Sequence, residues 1–174
     1  MRRLIIFRHA KAAALAGGGD RERPLTARGR GDAALVGAYL REHGLIPGLA
    51  LVSDARRTRE TFEVAAPEIG VPVPLSLEPR IYEAGAAMLL RLVKATPADV
   101  DALLLIGHNP GLAELAHGLV GYGDRYALAR MQAKFPTAAL AVIDFSVEDW
   151  SRAALESGRL DRFITPALLG SEDD

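Results

Sequence analysis

The stretch LIIFRHA, residues 4–10, joins an apolar strand pattern directly to two strongly polar side chains. Its first four residues are all apolar, which is typical of a strand that is covered on both faces of a sheet. The run ends on Arg8 and His9, a permanent cation beside a titratable ring. An Arg-His pair is common by chance, so its meaning depends on what the rest of the chain brings to the same edge of the sheet.

Two further apolar runs end in a similar way. LALVS at 49–53 is followed by a cluster of arginines, and DALLLIG at 101–107 is followed by His108. Helical patterns lie between these runs, so strands alternate with helices along the chain. This alternation predicts an α/β fold, a three-layer α/β/α sandwich around a mostly parallel central sheet. The predicted helices cover 26–44, 56–70, 86–96 and 109–121, and the second of them is expected to break or end near Pro67. Two more strands are predicted at 137–145 and 159–166.

Glycine and proline mark the connections between these elements. Residues 10–24 contain GGGD and Pro24, which predicts a mobile loop. Residues 71–79 read VPVPLSLEP, an extended segment that is limited by its prolines. The chain has 174 residues without an internal repeat or a long linker. We therefore expect one domain over residues 1–170 and an acidic tail over residues 171–174.

The composition argues against several classes of protein. A formal net charge of -1 gives no general attraction to nucleic acid or to an anionic membrane. Cysteine is absent from the sequence, which excludes disulfides and thiolate metal sites. The first apolar run is cut by Arg8 and is too short for a signal peptide, and no run approaches the roughly 20 apolar residues of a membrane span. We therefore expect a cytoplasmic protein.

Polar clusters follow the strands at the edge where α/β sheets bind their ligands. Arg57 belongs to a group of arginines that begins a helix, where positive charge opposes the helix dipole but suits a bound phosphate. His108 lies in GHNPG, between a strand and a helix, where backbone N–H groups favour anions. Glu83, in IYEAG, precedes another helix and is either an ordinary first-turn acid or a general acid.

Each of these features has an ordinary structural explanation when it is taken alone. The arginines could form a solvated basic patch, and His108 could accompany a helix cap by Asn109. Together, two histidines, several arginines and a carboxylate indicate phosphoryl transfer. No metal or cofactor is expected, because the chain lacks HExxH and HxH spacing and a P-loop lysine. A nucleic-acid binder that uses RRTR at 56–59 is a rival class, against which the net charge argues.

In this order the motifs resemble the histidine phosphatase superfamily, also called the phosphoglycerate-mutase-like family. Within that family the chain is most similar to the short SixA-type phosphohistidine phosphatases, and the resemblance covers essentially the whole chain. One departure is Asp54, which stands where the family often has proline. The motifs are RHA at 8–10, RPLTARG at 23–29, Ser53 with Arg57 and Thr61, Glu83 in IYEA, and GHNPGL at 107–112.

The resemblance implies a phosphoglycerate-mutase-like fold and a role for each residue of the site. His9 is the expected nucleophile. Arg8, Arg57 and His108 are expected to surround the phosphoryl oxygens. Glu83 is expected to protonate the leaving group and then to activate water.

The distance along the chain between Glu83 and His108 bears on the substrate. Mutases and larger phosphatases of the family carry a lid insertion near the acid, but only 24 residues separate these two positions. An open site excludes water poorly and so favours hydrolysis over mutase chemistry. Asn109 and Arg23 are expected as further phosphate or substrate contacts.

The expected substrate is phosphohistidine on a phosphotransfer-type protein. A small phosphate ester is the alternative for the same site. A non-catalytic phosphate-binding module on the same fold is a second alternative. The sequence leaves the oligomeric state open, a monomer included.

Overall fold

The structure is a computed structural model that describes residues 1–14 and 17–171. Residues 172–174, most of the predicted acidic tail, lie outside the described residues. In the described part of the chain, seven strands form one sheet between two groups of helices. The strands are β1 Arg2–Arg8, β2 Leu49–Val52, β3 Leu75–Leu77, β4 Ala102–Gly107, β5 Val120–Gly123, β6 Leu140–Phe145 and β7 Gly158–Ile164. The helices are α1 Ala27–Glu42, α2 Arg56–Ile69, α3 Ala86–Lys94, α4 Gly111–Leu119 and α5 Arg125–Ala133.

Most strands of the sheet run in one direction. Their order across the sheet is β3-β2-β4-β1-β6-β7-β5. Strand β6 is antiparallel to both of its neighbours, β1 and β7, whereas the other adjacent pairs of described strands are parallel. The predicted three-layer α/β/α sandwich with a mostly parallel sheet is therefore confirmed.

Strand β1 lies in the middle of the sheet and is covered on both faces. Leu4 and Ile6 pack into one core with residues of α3, α4 and α5. Ile5 and Phe7 pack into the other core with residues of α1 and α2. A strand in this position needs an apolar side chain at every residue, which explains the uninterrupted run in the sequence.

The far edge of the sheet differs from the sequence prediction. The helix predicted at 109–121 ends at Leu119, and strand β5 follows it directly. The sequence VGYG has little strand preference of its own, so its pairing with β7 forms the strand. At Gly121 a Cβ would stand 2.0 Å from the carbonyl oxygen of Glu156, so the neighbouring chain leaves no room for a side chain.

Two helices also differ from their predicted form. Helix α5 was not predicted, although the carboxylate of Asp124 caps it by accepting from the N–H of Ala127 at 2.8 Å. Pro67 lies inside α2 without ending it, and the helix continues to Ile69. None of the helices in the described residues combines the length and apolar character that crossing a membrane requires.

The loop predicted at 10–24 is described except for residues 15 and 16. Its two ends pair with each other, because the N–H of Ala13 donates to the carbonyl of Pro24 at 2.8 Å. A short 3₁₀ helix, Asp20–Glu22, lies between the ends. The mobility of the loop stays a prediction.

The register of the sheet sets the polar clusters side by side. Strands β2, β4 and β1 are neighbours, with Val52 opposite Ile106 and Arg8 opposite Gly107. The backbone N–H of His9 also donates to the carbonyl of Gly107 at 3.1 Å. The residues that follow these three strands therefore meet at the carboxyl edge of the sheet.

Candidate active site

His9 stands directly after β1 and is only 7% exposed. Its Nδ1 lies 2.7 Å from the carbonyl oxygen of Ala10. A carbonyl can only accept a hydrogen bond, so Nδ1 carries the hydrogen and Nε2 keeps the lone pair. This is the tautomer that a nucleophilic histidine needs.

A buried hydroxyl from α2 holds the peptide that follows His9. Thr61 Oγ1 accepts from the backbone N–H of Ala10 at 3.0 Å and donates to the carbonyl of Arg57 at 2.7 Å. The carbonyl of Ala10 in turn orients the ring of His9. The threonine of the Ser53-Arg57-Thr61 motif thus helps to fix the orientation of the imidazole through one residue, Ala10.

His108 follows β4 and lies beside His9, with 5.4 Å between the ring centroids. Its Nε2 is 2.7 Å from Oγ of Ser53, a hydroxyl that also accepts from the N–H of Ala55 at 3.4 Å. The hydroxyl of Ser53 can donate its hydrogen to Nε2, and in that arrangement the ring hydrogen of His108 is on Nδ1. That Nδ1 is buried and has no hydrogen-bond partner among the described residues.

The two arginines predicted for the site also keep unused donors. Nη1 of Arg8 donates to the carbonyl of Phe135 at 2.9 Å, and Nη1 of Arg57 donates to the carbonyl of Asp20 at 2.9 Å. The Nε of each guanidinium is buried without a partner among the described residues. Buried polar groups are normally hydrogen-bonded, and the oxygens of a phosphoryl group would satisfy these donors.

Both imidazoles of the site are neutral near pH 7. Burial lowers the pKa of His9 to about 4, against the opposing effect of the Ala10 carbonyl, and the charges of Arg57 and Arg8 add to the decrease. Burial lowers the pKa of His108 to about 3, with further contributions from His9 and Arg57. A neutral His9 has its Nε2 lone pair available for attack.

Asp20 is the main residue of the site that the sequence analysis missed. Its carboxylate accepts from Arg23 at 3.0 Å, from Arg57 at 3.2 Å and from the hydroxyl of Tyr82. The hydrogen bond from Tyr82 lowers the pKa of Asp20 to about 2, against the effect of burial and together with Arg23 and Arg57. The available sequence signal was an acid three residues before RPLT.

Arg23 was predicted as a substrate contact. In the structure it shares the carboxylate of Asp20 with Arg57. Its Nε donates to the carbonyl of Ala13 at 2.8 Å, which holds the side chain against the loop. Tyr82 contacts both Asp20 and His108. Its ring meets the ring of His108 edge-on at 5.5 Å, and the guanidinium of Arg57 lies 5.9 Å from the ring centroid.

The structure also brings Glu83 to this site. Glu83, Asp20, Arg57 and His108 line one cavity of about 310 Å³. The backbone of Glu83 has a φ of 60°, in the left-handed region that a non-glycine residue rarely adopts. Such backbone strain costs roughly 1–3 kcal/mol and is concentrated at functional sites.

Asn109 lines the same cavity, but its amide is engaged with the protein. Nδ2 donates to the carbonyl of Phe135 at 2.9 Å, and Oδ1 accepts from the N–H of Ala113 at 3.2 Å. Asn109 thus braces the start of α4 against the segment that also binds Arg8. A phosphate contact through its second amide hydrogen stays a prediction.

The RPLTARG motif has a structural function in this fold. Thr26 caps α1 by accepting from the N–H of Gly29 at 3.0 Å, and the N–H of Thr26 donates to the carbonyl of Lys11 at 2.9 Å. The N–H of Leu25 donates to Oε1 of Glu60 in α2 at 2.9 Å. The motif therefore fastens the chain after His9 to both helices of one layer.

The site combines one nucleophilic nitrogen, several hydrogen-bond donors that can bind an anion, and two carboxylates. These groups can attack phosphorus, hold its oxygens and move a proton. No group of three or more histidine, aspartate or glutamate side chains is placed to hold a metal ion in the part of the chain that the structure describes.

Comparison with known proteins finds a matching family and similar folds. The model of the histidine phosphatase superfamily (branch 1) matches residues 4–101, which include His9, Arg57 and Glu83 but end before His108. An uncharacterized protein of Mycobacterium leprae is 32% identical over 150 residues, covering 84% of this chain and 89% of that protein.

Two solved structures are similar over nearly the whole chain. The "putative phosphohistidine phosphatase SixA" of Agrobacterium tumefaciens is 28% identical, with a TM-score of 0.79 over 95% of this chain and 99% of that one. The protein of the same name from Nakamurella multipartitia is 27% identical, with a TM-score of 0.78 over 95% of this chain and 96% of that one.

Proposed function

The chain belongs to the histidine phosphatase superfamily, in its SixA-type group, and from this premise we propose that it hydrolyses phosphohistidine on a protein through a phosphohistidine intermediate on His9. One observation carries the proposal. Nε2 of His9 keeps its lone pair beside the ring of His108, and three buried atoms of the predicted phosphate-binding residues have no partner in the described residues, namely Nε of Arg8, Nε of Arg57 and Nδ1 of His108.

In the first step, Nε2 of His9 attacks phosphorus. The bond between phosphorus and the leaving atom of the substrate breaks, and its electron pair stays on the leaving atom. Glu83 supplies the proton that this atom needs. The ring of His9 becomes positively charged, and the carbonyl of Ala10 stabilises the charge by accepting from Nδ1–H.

The hydrogen-bond donors of the site lower the barrier of this step. Negative charge spreads over the three phosphoryl oxygens in the transition state. Arg8, Arg57 and His108 present donors that the fold has already oriented, so little reorganisation accompanies the reaction. The carboxylate of Asp20 is already engaged by Tyr82, Arg23 and Arg57, so we assign proton donation to Glu83.

In the second step, water attacks the phosphorus of the intermediate. The carboxylate of Glu83 takes the proton of the water, and the bond between phosphorus and Nε2 breaks. The electron pair returns to Nε2 of His9, and inorganic phosphate leaves. The enzyme is then ready for another cycle with both histidines neutral.

The connection between Glu83 and His108 supports a protein substrate. Helix α3 and strand β4 occupy most of it, and no inserted segment is present to cover the cavity. A histidine side chain on the surface of another protein can therefore reach the site. A small phosphate ester is the second candidate, because the donors of Arg8, Arg57 and His108 would bind the phosphoryl group and not the leaving group.

The test uses a phosphotransfer domain that carries labelled phosphohistidine. We expect wild-type protein, quenched during turnover, to carry an acid-labile and alkali-stable label that His9→Ala lacks. His43→Ala is the matched control, since His43 lies at the end of α1 against Tyr39, and it should keep both label and rate. Full turnover by His9→Ala would show that the mechanism is wrong, and faster hydrolysis of p-nitrophenyl phosphate than of the domain would favour the small ester.

The role of Glu83 is tested with leaving groups of different basicity. We expect Glu83→Gln to slow hydrolysis of phenyl phosphate, whose phenol has a pKa of about 10, far more than hydrolysis of p-nitrophenyl phosphate. Asp20→Asn should not show this dependence on the leaving group. The opposite pattern in the two variants would assign the proton to Asp20.

A further inference from the structure

A second and larger cavity, of about 730 Å³, shares a piece of chain with the active site. The shared segment is 134–138. The carbonyl of Phe135 in this segment accepts from Arg8, and the N–H of Ala138 donates to the carbonyls of Arg8 and His9. Other residues of the same segment line the cavity. The cavity is therefore attached to the backbone that carries the nucleophile.

Lys11 connects the cavity to the nucleophile from the other direction. It lines the cavity and stands two residues after His9 in the chain. Two residues span at most about 7 Å, so the backbone of Lys11 lies close to that of His9. A substrate protein with its phosphorylated side chain in the active site would lay its neighbouring residues over this region.

The lining of the cavity is strongly basic. It contains four cationic side chains and one carboxylate, that of Asp32, although the whole chain has a formal net charge of -1. The cationic residues are Lys11, Arg28, Arg130 and Lys134.

Ala133, Pro136 and Ala167 add exposed or half-buried apolar side chains to the lining. A volume of this size lies within the range of about 300–1,000 Å³ that is typical of ligand sites. A basic and partly apolar surface suits an acidic peptide segment better than a neutral one.

The protein holds several of these groups in place. Nη2 of Arg130 donates to the carbonyl of Phe163 at 2.8 Å. Arg28 lies 3.8 Å from the carboxylate of Asp32, which also accepts from the hydroxyl of Ser171 at 2.6 Å. These contacts restrain Arg130 and Arg28 before any partner arrives, which lowers the entropy cost of binding.

We propose that this basic cavity, defined by Lys11, Arg28, Arg130 and Lys134, is a docking site for an acidic segment next to the phosphorylated residue of the substrate protein. The proposal rests on the proposed function, because it assigns the substrate's flanking chain to a place beside the same active site. Electrostatic attraction speeds encounter and selects the partner, whereas the catalytic step depends on the residues around His9.

The test compares two phosphohistidine peptides that differ only in acidic or neutral flanking residues, together with p-nitrophenyl phosphate. In the Arg130→Gln/Lys134→Gln variant we expect kcat/KM for the acidic peptide to fall about 5- to 10-fold through KM. Turnover of the neutral peptide and of p-nitrophenyl phosphate should stay unchanged. Lys134→Gln alone should give a smaller loss in the same direction, which guards against a folding defect from the loss of Arg130.

The matched control removes the same charge elsewhere. Arg91 and Lys94 are exposed on α3 and do not line the cavity. The Arg91→Gln/Lys94→Gln variant should therefore keep the preference for the acidic peptide. Equal losses in the two double variants would overturn the proposal, because they would show a general effect of net charge. A loss with p-nitrophenyl phosphate as well would also overturn it.

A binding measurement separates this proposal from the proposed function. Fluorescence anisotropy with a labelled acidic peptide that carries no phosphate should show binding by wild-type protein and by His9→Ala, and at least about 5-fold weaker binding by Arg130→Gln/Lys134→Gln. Binding without any hydrolysis of phosphohistidine would contradict the function and keep the docking site. Hydrolysis that shows no preference for acidic flanks, together with no binding of the peptide, would contradict the docking site and keep the proposed function.

Discussion

At the scale of single residues, a short series of hydrogen bonds determines the state of His9. Thr61 holds the N–H of Ala10, and the carbonyl of Ala10 holds Nδ1 of His9. Ser53 has the same function for His108, because its hydroxyl occupies Nε2 and leaves Nδ1 for an anion. Two residues of the Ser53-Arg57-Thr61 motif thus orient the two histidines, while Arg57 provides charge.

The protonation states of the two rings can be observed directly. We expect His9 and His108 to remain neutral, with the hydrogen on Nδ1, from about pH 8 down to about pH 5, because burial lowers their pKa values to about 4 and about 3. Long-range ¹H–¹⁵N spectra of the imidazoles report both protonation and tautomer. Spectra of His9→Asn and His108→Asn assign the signals, and titration of either ring near its ordinary pKa of about 6.5 would contradict the geometry.

Thr61 provides a second test at this scale. Thr61→Val keeps the shape of the side chain but leaves the buried N–H of Ala10 without its partner, which costs about 1–3 kcal/mol. We expect the free energy of unfolding to fall by that amount and kcat to fall about 10-fold with little change in KM, because the ring of His9 loses its orientation. Thr61→Ser keeps the hydroxyl and should restore most of both quantities; a similar loss in Thr61→Ser would mean that the methyl group matters instead.

At the scale of elements, the start of α1 fastens the loop after β1. Thr26 caps the helix and also contacts Lys11, so the helix begins where the chain after His9 passes. A Cβ on Gly29 would stand 2.1 Å from the carbonyl oxygen of Lys11. The glycine of RPLTARG is therefore needed for close contact between a helix and a backbone.

A pair of glycines in the same helix tests this contact. Gly29→Ala should destabilise the protein by about 1–3 kcal/mol and lower kcat, because the new methyl group displaces the loop after His9. A Cβ on Gly31 has nothing within 4 Å, so Gly31→Ala should stabilise the protein by up to about 1 kcal/mol through helix propensity. Urea unfolding and steady-state kinetics of both variants give the comparison, and equal effects would show that Gly29 makes no special contact.

At the scale of the whole molecule, arginines lie at both edges of the sheet. At the start of β1, Arg3 binds the carboxylate of Asp144 on β6 through two hydrogen bonds of 2.7 and 2.8 Å. At the carboxyl edge, Arg8 and Arg57 each keep a buried Nε without a partner in the described residues. The carboxyl edge therefore carries guanidinium donors that an entering anion can use.

This arrangement makes stability depend on pH. In the unfolded chain His9 and His108 have a pKa of about 6.5. Below that pH the two rings are protonated in the unfolded state but remain neutral in the folded state. The free energy of unfolding should fall as the pH drops from about 6.5 toward 4, by on the order of 1 kcal/mol per pH unit for each ring. Asp20, with a pKa of about 2 in the folded protein, contributes stability that is lost only below its ordinary pKa of 3.8.

Urea unfolding between about pH 7 and pH 4 measures the effect of the histidines. His9→Asn should reduce the slope in this window, because one ring no longer titrates in the unfolded state. His43→Asn removes an ordinary histidine and serves as the control. An unchanged slope in His9→Asn would show that His9 is not held neutral by the fold.

The sequence by itself determined the α/β sandwich, the strands that carry the site and the residues His9, Arg57 and His108 that meet there. Continuous apolar runs and helix caps are local patterns, and the carboxyl ends of neighbouring parallel strands meet at one edge. The family resemblance depended on motifs of the same kind. These parts could be predicted because each is encoded within a few consecutive residues.

The tertiary structure decided what depends on contacts between distant parts of the chain. Strand β6 has an apolar pattern like that of the parallel strands β1 and β4, so its sequence does not indicate its opposite direction. Strand β5 forms through its pairing with β7. Asp20 becomes part of the site because Tyr82, 62 residues away, and Arg57 reach its carboxylate. Hydrogen-bond partners and burial arise only when the layers pack, and they set the charge of the site.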